Sequence, residues 1–211
     1  MFYFLKAKYA TYVSKRAAFV INKDYKTECC SLCGGTFVNY AEPLTIEIYG
    51  DLCDFYAPDN SLIISERFLK ILHDYNAVGY EVKKAKVNSW NKSIDTKTLN
   101  SLKYYELVIK SNCGLIRNLN GEELKHCSKC GRRLPFSGIK TEGVSFVPEL
   151  YDGSDVFSFS NWANMPIVSE SLKKTLMKNK LLNLKFININ EQVFDERRAS
   201  DILAEYKNKK I

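Results

Sequence analysis

The sequence predicts an α+β protein: two related β-rich units, each carrying half of a metal site and one short serine-capped helix, joined by a basic connector. Two observations carry this. The motif C-x-x-C-G occurs twice, as Cys30–Gly34 in "CCSLCGG" and Cys127–Gly131 in "HCSKCGRRL", with 93 residues between the pairs. A β-serine-helix-β pattern also occurs twice, at an offset of 104, in "LIISERFLKILHDYNAVGYEVKKA" from Leu62 and "PIVSESLKKTLMKNKLLNLKFINI" from Pro166.

At 211 residues the chain can bury a core without relying on a metal for lack of size. Apolar residues make up 45% and aromatics 13%, which excludes a disordered chain. No apolar run reaches the roughly 20 residues that span a bilayer. The opening "MFYFLKAKYATYVSKR" is aromatic and basic, with an apolar run too short for an export signal. A cytoplasmic protein is the expectation, and seven cysteines then favour metal binding over a disulfide framework.

The elements follow in order. The first knuckle, Cys30-x-x-Cys33, turns two thiolates toward one metal, and the glycine after it lets the backbone bend with positive φ. An alternating strand and an acidic turn come next, "LTIEIYGDLCDF". Ser65 is a good N-cap, and Glu66 suits the positive end of a helix. Phe68, Leu72 and Tyr75 share one helix face, and "GYEVKKAKV" alternates as a strand. The connector, residues 88–125, is polar and basic, with one strand or helix at "LKYYELVIK" and a turn at "NLNGEE". The second knuckle leads into "VSFVPELYDGSDVF", then Ser169 before a helix with Leu172 and Leu176 on one face, then "LKFINI". The tail "DERRASDILAEYKNKKI" patterns as a short amphipathic helix. The expected units are residues 1–87 and 126–211, within one compact domain.

Two knuckles supply four sulfurs, enough for one closed structural zinc per chain held by Cys30, Cys33, Cys127 and Cys130. Within each pair the spacing is specific; the long gap is not, since ordinary ribbons separate their pairs by roughly 15–20 residues. Cys29 can replace Cys30, and His126 can replace Cys127. Cys53 and Cys113 stand alone in apolar or turn-like contexts. Reduced packing thiols and a dithiol couple are the competing readings.

Enzyme motifs are missing. There are two histidines, His73 and His126, and neither sits in a catalytic pattern; the chain has no G-x-S-x-G, no H-E-x-x-H and no Walker loop. Four thiolates leave a zinc no open position for water, so the metal is a staple.

"CSLCGG", "IISERFLKIL", "CSKCGRRL", "DGSDVF" and "IVSESLKKTL", together spanning roughly residues 27–190, resemble the double-CXXCG motif proteins first grouped in myxobacteria. That family includes immunity proteins of polymorphic toxin systems. The resemblance implies a cytoplasmic protein that binds and neutralises a cognate secreted toxin by occlusion. Cys29 and the first acidic turn, "GDLCDF", depart from the family pattern. The alternative is a nucleic-acid-binding zinc protein using the basic residues around "KHCSKCGRR".

Charge is uneven. The net is +7, yet residues 27–82 carry −7 and residues 83–140 carry +9. An inhibitor of a basic, phosphate-binding toxin presents acid, which makes Glu47, Asp51, Asp54 and Asp59 the candidate contact residues.

Overall fold

The computed structural model describes residues 1–8, 16–59, 61–92, 95–134 and 140–195. The expected amphipathic tail lies, beyond Asp195, outside the described residues.

Strand accounts for 43% of those residues and helix for 17%, so the protein is mostly β. In chain order the elements are β1 (Phe2–Ala7), β2 (Arg16–Val20), β3 (Tyr25–Cys29), β4 (Thr36–Tyr40), β5 (Leu44–Gly50), β6 (Phe55–Tyr56), β7 (Ile63–Ser65) and α1 (Glu66–Tyr75). They continue with β8 (Tyr80–Trp90), α2 (Thr96–Ser101), β9 (Tyr104–Ile109), β10 (Lys140–Glu142), β11 (Val156–Phe159), β12 (Trp162–Ser169), α3 (Glu170–Lys178), β13 (Leu184–Asn188) and β14 (Val193–Asp195). A six-stranded sheet runs β2-β5-β8-β9-β7-β6 and a four-stranded sheet β11-β12-β1-β13. Two hairpin-sized sheets, β3-β4 and β10-β14, complete the set.

This order overturns the expected pair of related units joined by a connector. The segment expected to connect them supplies β9, which pairs antiparallel with both β7 and β8 inside the six-stranded sheet. The amino-terminal strand, assigned to the first unit, leaves it entirely. β1 lies between β12 and β13, with Phe4 opposite Ile167 on one side and Ile187 on the other. The four-stranded sheet therefore takes an interior strand from the opposite end of the chain, and the six-stranded sheet takes one from the expected connector. Alternation identifies a strand, but says nothing of which distant edge completes it.

α1 and α3 each start at a serine tied to this framework. Ser65 accepts the Phe68 N–H at 3.1 Å and donates to Asp54 Oδ1 at 2.7 Å. Ser169 accepts the Leu172 N–H at 3.2 Å and donates to Asp155 Oδ1 at 2.9 Å. The caps fix the helix starts, so Phe68, Leu72, Leu172 and Leu176 enter one shared core with Leu5, Phe55 and Val168. A second core gathers Phe4, Phe157, Phe159 and Ile167; a third lies under β5 around Ile46, Ile48 and Tyr56.

Gly79 ties the turn after α1 to both sheets. It has φ +102, its carbonyl accepts from Lys110 N–H at 2.9 Å, and Val78 O accepts from Val156 N–H at 3.0 Å. A Cβ here would collide with the Val156 carbonyl and the Ser154 side chain. Gly79→Ala is expected to cost more than about 1 kcal/mol, read as a lower urea midpoint; an unchanged midpoint would show that the backbone there relaxes freely.

Candidate metal centre and the adjoining groove

The two knuckles fold alike because the same residue types meet the same backbone demand. In the first, Cys30 N–H donates to Gly35 O and Gly34 N–H to Cys30 O, both at 2.9 Å. In the second, Cys127 N–H donates to Arg132 O and Gly131 N–H to Cys127 O, both at 2.8 Å. Gly34 and Gly131 take φ +67 and +72, which side chains resist. The knuckles face each other and are fastened across by Lys129 Nζ to Ser31 Oγ at 2.7 Å.

The four sulfurs lie within 4.8 Å of one another. Cys30 Sγ and Cys127 Sγ are 3.8 Å apart, Cys33 Sγ and Cys130 Sγ 3.7 Å. A tetrahedral zinc with Zn–S bonds of about 2.3 Å has S–S edges of about 3.8 Å. The donor set thus fits such an ion. The backbone N–H of Cys33, then that of Leu32, lowers the Cys30 thiol to about 6. Cys127 is lowered too, chiefly by the N–H of Cys130. At Cys130 the N–H of Arg132 pulls down, but burial and the three neighbouring thiols push it up to about 12. Four like charges at this spacing repel one another, and a divalent ion removes that conflict.

The other thiols and the histidine stand apart. Among the described residues the clustered group contains neither Cys29 nor His126. Cys29 Sγ lies 3.6 Å from Gly34 O, and His126 Nδ1 lies 3.2 Å from Leu124 O. Cys53 and Cys113 are buried elsewhere, where burial raises both thiols, Cys113 to about 12.

The four acidic candidates sit in different settings. Asp54 is only 6% exposed and serves as a buried anchor. Beyond Ser65 it accepts the Leu182 N–H at 2.7 Å and meets Arg67 Nη1 at 3.4 Å. Asp51 is exposed but is paired with Lys92 at 2.5 Å and Arg16 at 3.3 Å, and these two partners lower its pKa in that order. Glu47 is half-buried and accepts from Tyr49 and Asn88. Asp59 is exposed and lines a groove. Sequence reasoning missed the anchoring role of Asp54. Its place in an acidic turn ahead of a capping serine was the available signal.

That groove, about 680 Å³, runs beside the metal centre between β4 and the body of the protein. One wall is continuous β4 and the residue after it, from Thr36 to Ala41; the other includes Lys83, Glu106, Arg132 and Trp162. Arg132 reaches across to β4. Its guanidinium lies 5.8 Å from the Phe37 ring centre, and Nη1 donates to Thr36 O at 3.4 Å.

A mostly-β framework, with a four-thiol centre beside a projecting hairpin and a groove, defines a β-rich protein with a candidate structural metal site. The chain belongs to the Immunity protein 43 family, whose model matches residues 45–195, well over half of it. That match supports an immunity-protein family without extending to the double-CXXCG grouping, and it begins after the first knuckle, so only Cys127 and Cys130 fall inside it. No curated protein matches the chain. Membership implies a cognate toxin as partner.

Proposed function

We propose that this chain is a cytoplasmic immunity protein that binds one cognate toxin domain and neutralises it by occlusion, with no chemistry of its own. Family membership carries this reading. The metal part of it is one structural zinc on Cys30, Cys33, Cys127 and Cys130, supported by sulfur spacings that match a tetrahedron. The paired C-x-x-C-G motifs, with their resemblance to the double-CXXCG proteins, belong to the same reading. The zinc positions a hairpin and leaves no site at which water could be activated.

The acidic contact surface belongs to the proposal as well, without Asp54. Glu47, Asp51 and Asp59 are the residues a basic toxin could reach. Asp51→Lys would also repel Arg16 and Lys92, so Asp59→Lys is the cleaner probe. The test is co-expression with the toxin domain encoded beside this gene, together with calorimetry on the purified pair. Cells should survive, and Asp59→Lys should weaken binding while leaving the fold unchanged. If no neighbouring toxin domain binds and the protein instead binds RNA or DNA with steep salt dependence, the nucleic-acid reading replaces this one.

A further inference from the structure

The β3-β4 hairpin has an unusual exposure. Every residue of β3 is exposed, as are four of the five in β4, and Tyr25, Leu32, Phe37 and Val38 are large apolar side chains left in solvent. A lone two-stranded hairpin is marginal by itself. This one is held at its tip by the knuckles and at its base by Asn22, whose Nδ2 donates to Ala41 O at 2.8 Å.

Its hydrogen-bond phase decides which backbone groups are spare. Ala41 N–H donates to Asp24 O and Cys30 N–H to Gly35 O. With the register Lys26↔Asn39 and Glu28↔Phe37, these are the bonded pairs of the ladder. Antiparallel pairs alternate. The N–H and C=O of Thr36, Val38 and Tyr40 therefore point away from β3. Arg132 reaching Thr36 O from the groove side confirms that direction. No other strand adds to β4 among the described residues. The groove thus has an open strand edge along one wall.

We propose that this groove takes an extended segment of the cognate toxin domain, which adds to β4 as a third strand and places a basic side chain between Asp59 and Glu106. This deepens the proposed function and rests on it. Strand addition draws its affinity from main-chain hydrogen bonds and its selectivity from the alternating side chains. β4 offers Val38 and Tyr40 for the bonds. For selectivity, Glu42 is already joined to Lys83 at 2.6 Å, whereas Asp59 and Glu106 have no ion pair among the described residues. Glu106 is partly buried on β9, and burial raises its carboxyl above the ordinary range, with Lys83 opposing. A cation delivered by the partner relieves that strained carboxylate. The groove's volume falls within the roughly 300–1,000 Å³ of ordinary ligand sites.

Val38→Pro is the direct test. It deletes an N–H that the hairpin does not use, and proline is tolerated at such edge positions. Thr27→Pro is its control: Thr27 pairs with Val38 in the register but turns its N–H to the opposite edge. Calorimetry against the toxin domain should show binding weakened about tenfold or more by Val38→Pro, unchanged by Thr27→Pro, and retained in Val38→Thr. Glu106→Gln should weaken it by a similar factor. Amide exchange of Val38 and Tyr40 should slow on complex formation. Wild-type binding with both amides still exchanging freely, or equal effects of the two prolines, would sink the strand-addition idea while leaving the immunity function standing. Protection of both amides in the free protein would assign the groove to a segment of this chain. A wild-type protein that binds no toxin domain ends both readings together.

Discussion

Purified protein is expected to carry about one equivalent of zinc, and Cys127→Ser to carry none. Four sulfurs this close can enclose one ion completely, so removing a single ligand leaves three thiols and an opening to water. Structural zinc in small domains is worth on the order of 10 kcal/mol of apparent binding energy. Here the loss should divide unevenly. The large sheets have cores around Phe4, Phe68 and Ile46, and none of these cores includes a knuckle cysteine. The hairpin β3-β4, exposed along its length, depends on the clamp. Chelation or Cys127→Ser should therefore free the amides of residues 25–40 to exchange while Ile46 and Ile48 stay protected. The melting midpoint should also fall by more than about 5 °C, equivalent to about 2 kcal/mol at this size. Cys29→Ser should change neither metal content nor midpoint. Full stability and full hairpin protection in metal-free Cys127→Ser would show the thiols to be mere packing groups.

Asp54→Ala should be the most damaging change away from the metal. The carboxylate is nearly buried and holds three groups: the Ser65 cap of α1, the Leu182 N–H that leads into β13, and Arg67 of α1, which also donates to the Asn179 carbonyl at the end of α3. Its removal strands the Leu182 N–H and leaves Arg67 without its anion. Arg67 is about half exposed and is served by water, so the loss is set by the stranded N–H and the cap's lost partner, about 1–3 kcal/mol. Asp155→Ala, at a less buried residue with one short bond to Ser169 and two near 3.4 Å, should cost about half as much or less. Urea unfolding of the two variants measures the difference. Equal small losses would mean that water replaces both carboxylates easily. Charge reversal at Asp54 accordingly reports on folding, and only Asp59 and Glu47 are fair probes of an acidic contact surface.

The four-cysteine cluster was the most legible part of this protein. C-x-x-C-G is a local device. Two thiolates and a glycine with positive φ are specified within five residues, and the chain repeats them with nothing else nearby that offers a comparable ligand set. Separating Cys30 from Cys29, and Cys127 from His126, took the tertiary structure, because adjacent residues differ only in which way the backbone turns them. Helix starts at Ser65 and Ser169 are likewise local events, set by a hydroxyl meeting the N–H three residues on.

What the sequence by itself determined is thus the short-range chemistry: the knuckles, the caps, the alternating strands and an immunity-protein resemblance consistent with the family match. Only the tertiary structure decided the architecture. β1 left its expected unit to complete the sheet of β12 and β13, and the basic "connector" became the interior strand β9. Both outcomes rest on pairing between residues more than a hundred positions apart, or across a helix, where hydrogen-bonding edges are chemically alike and the choice falls to the packing of whole faces. The same nonlocality hid Asp54. Its neighbours in sequence are an acidic turn that reads as surface, while Leu182, more than a hundred residues away, is what encloses it.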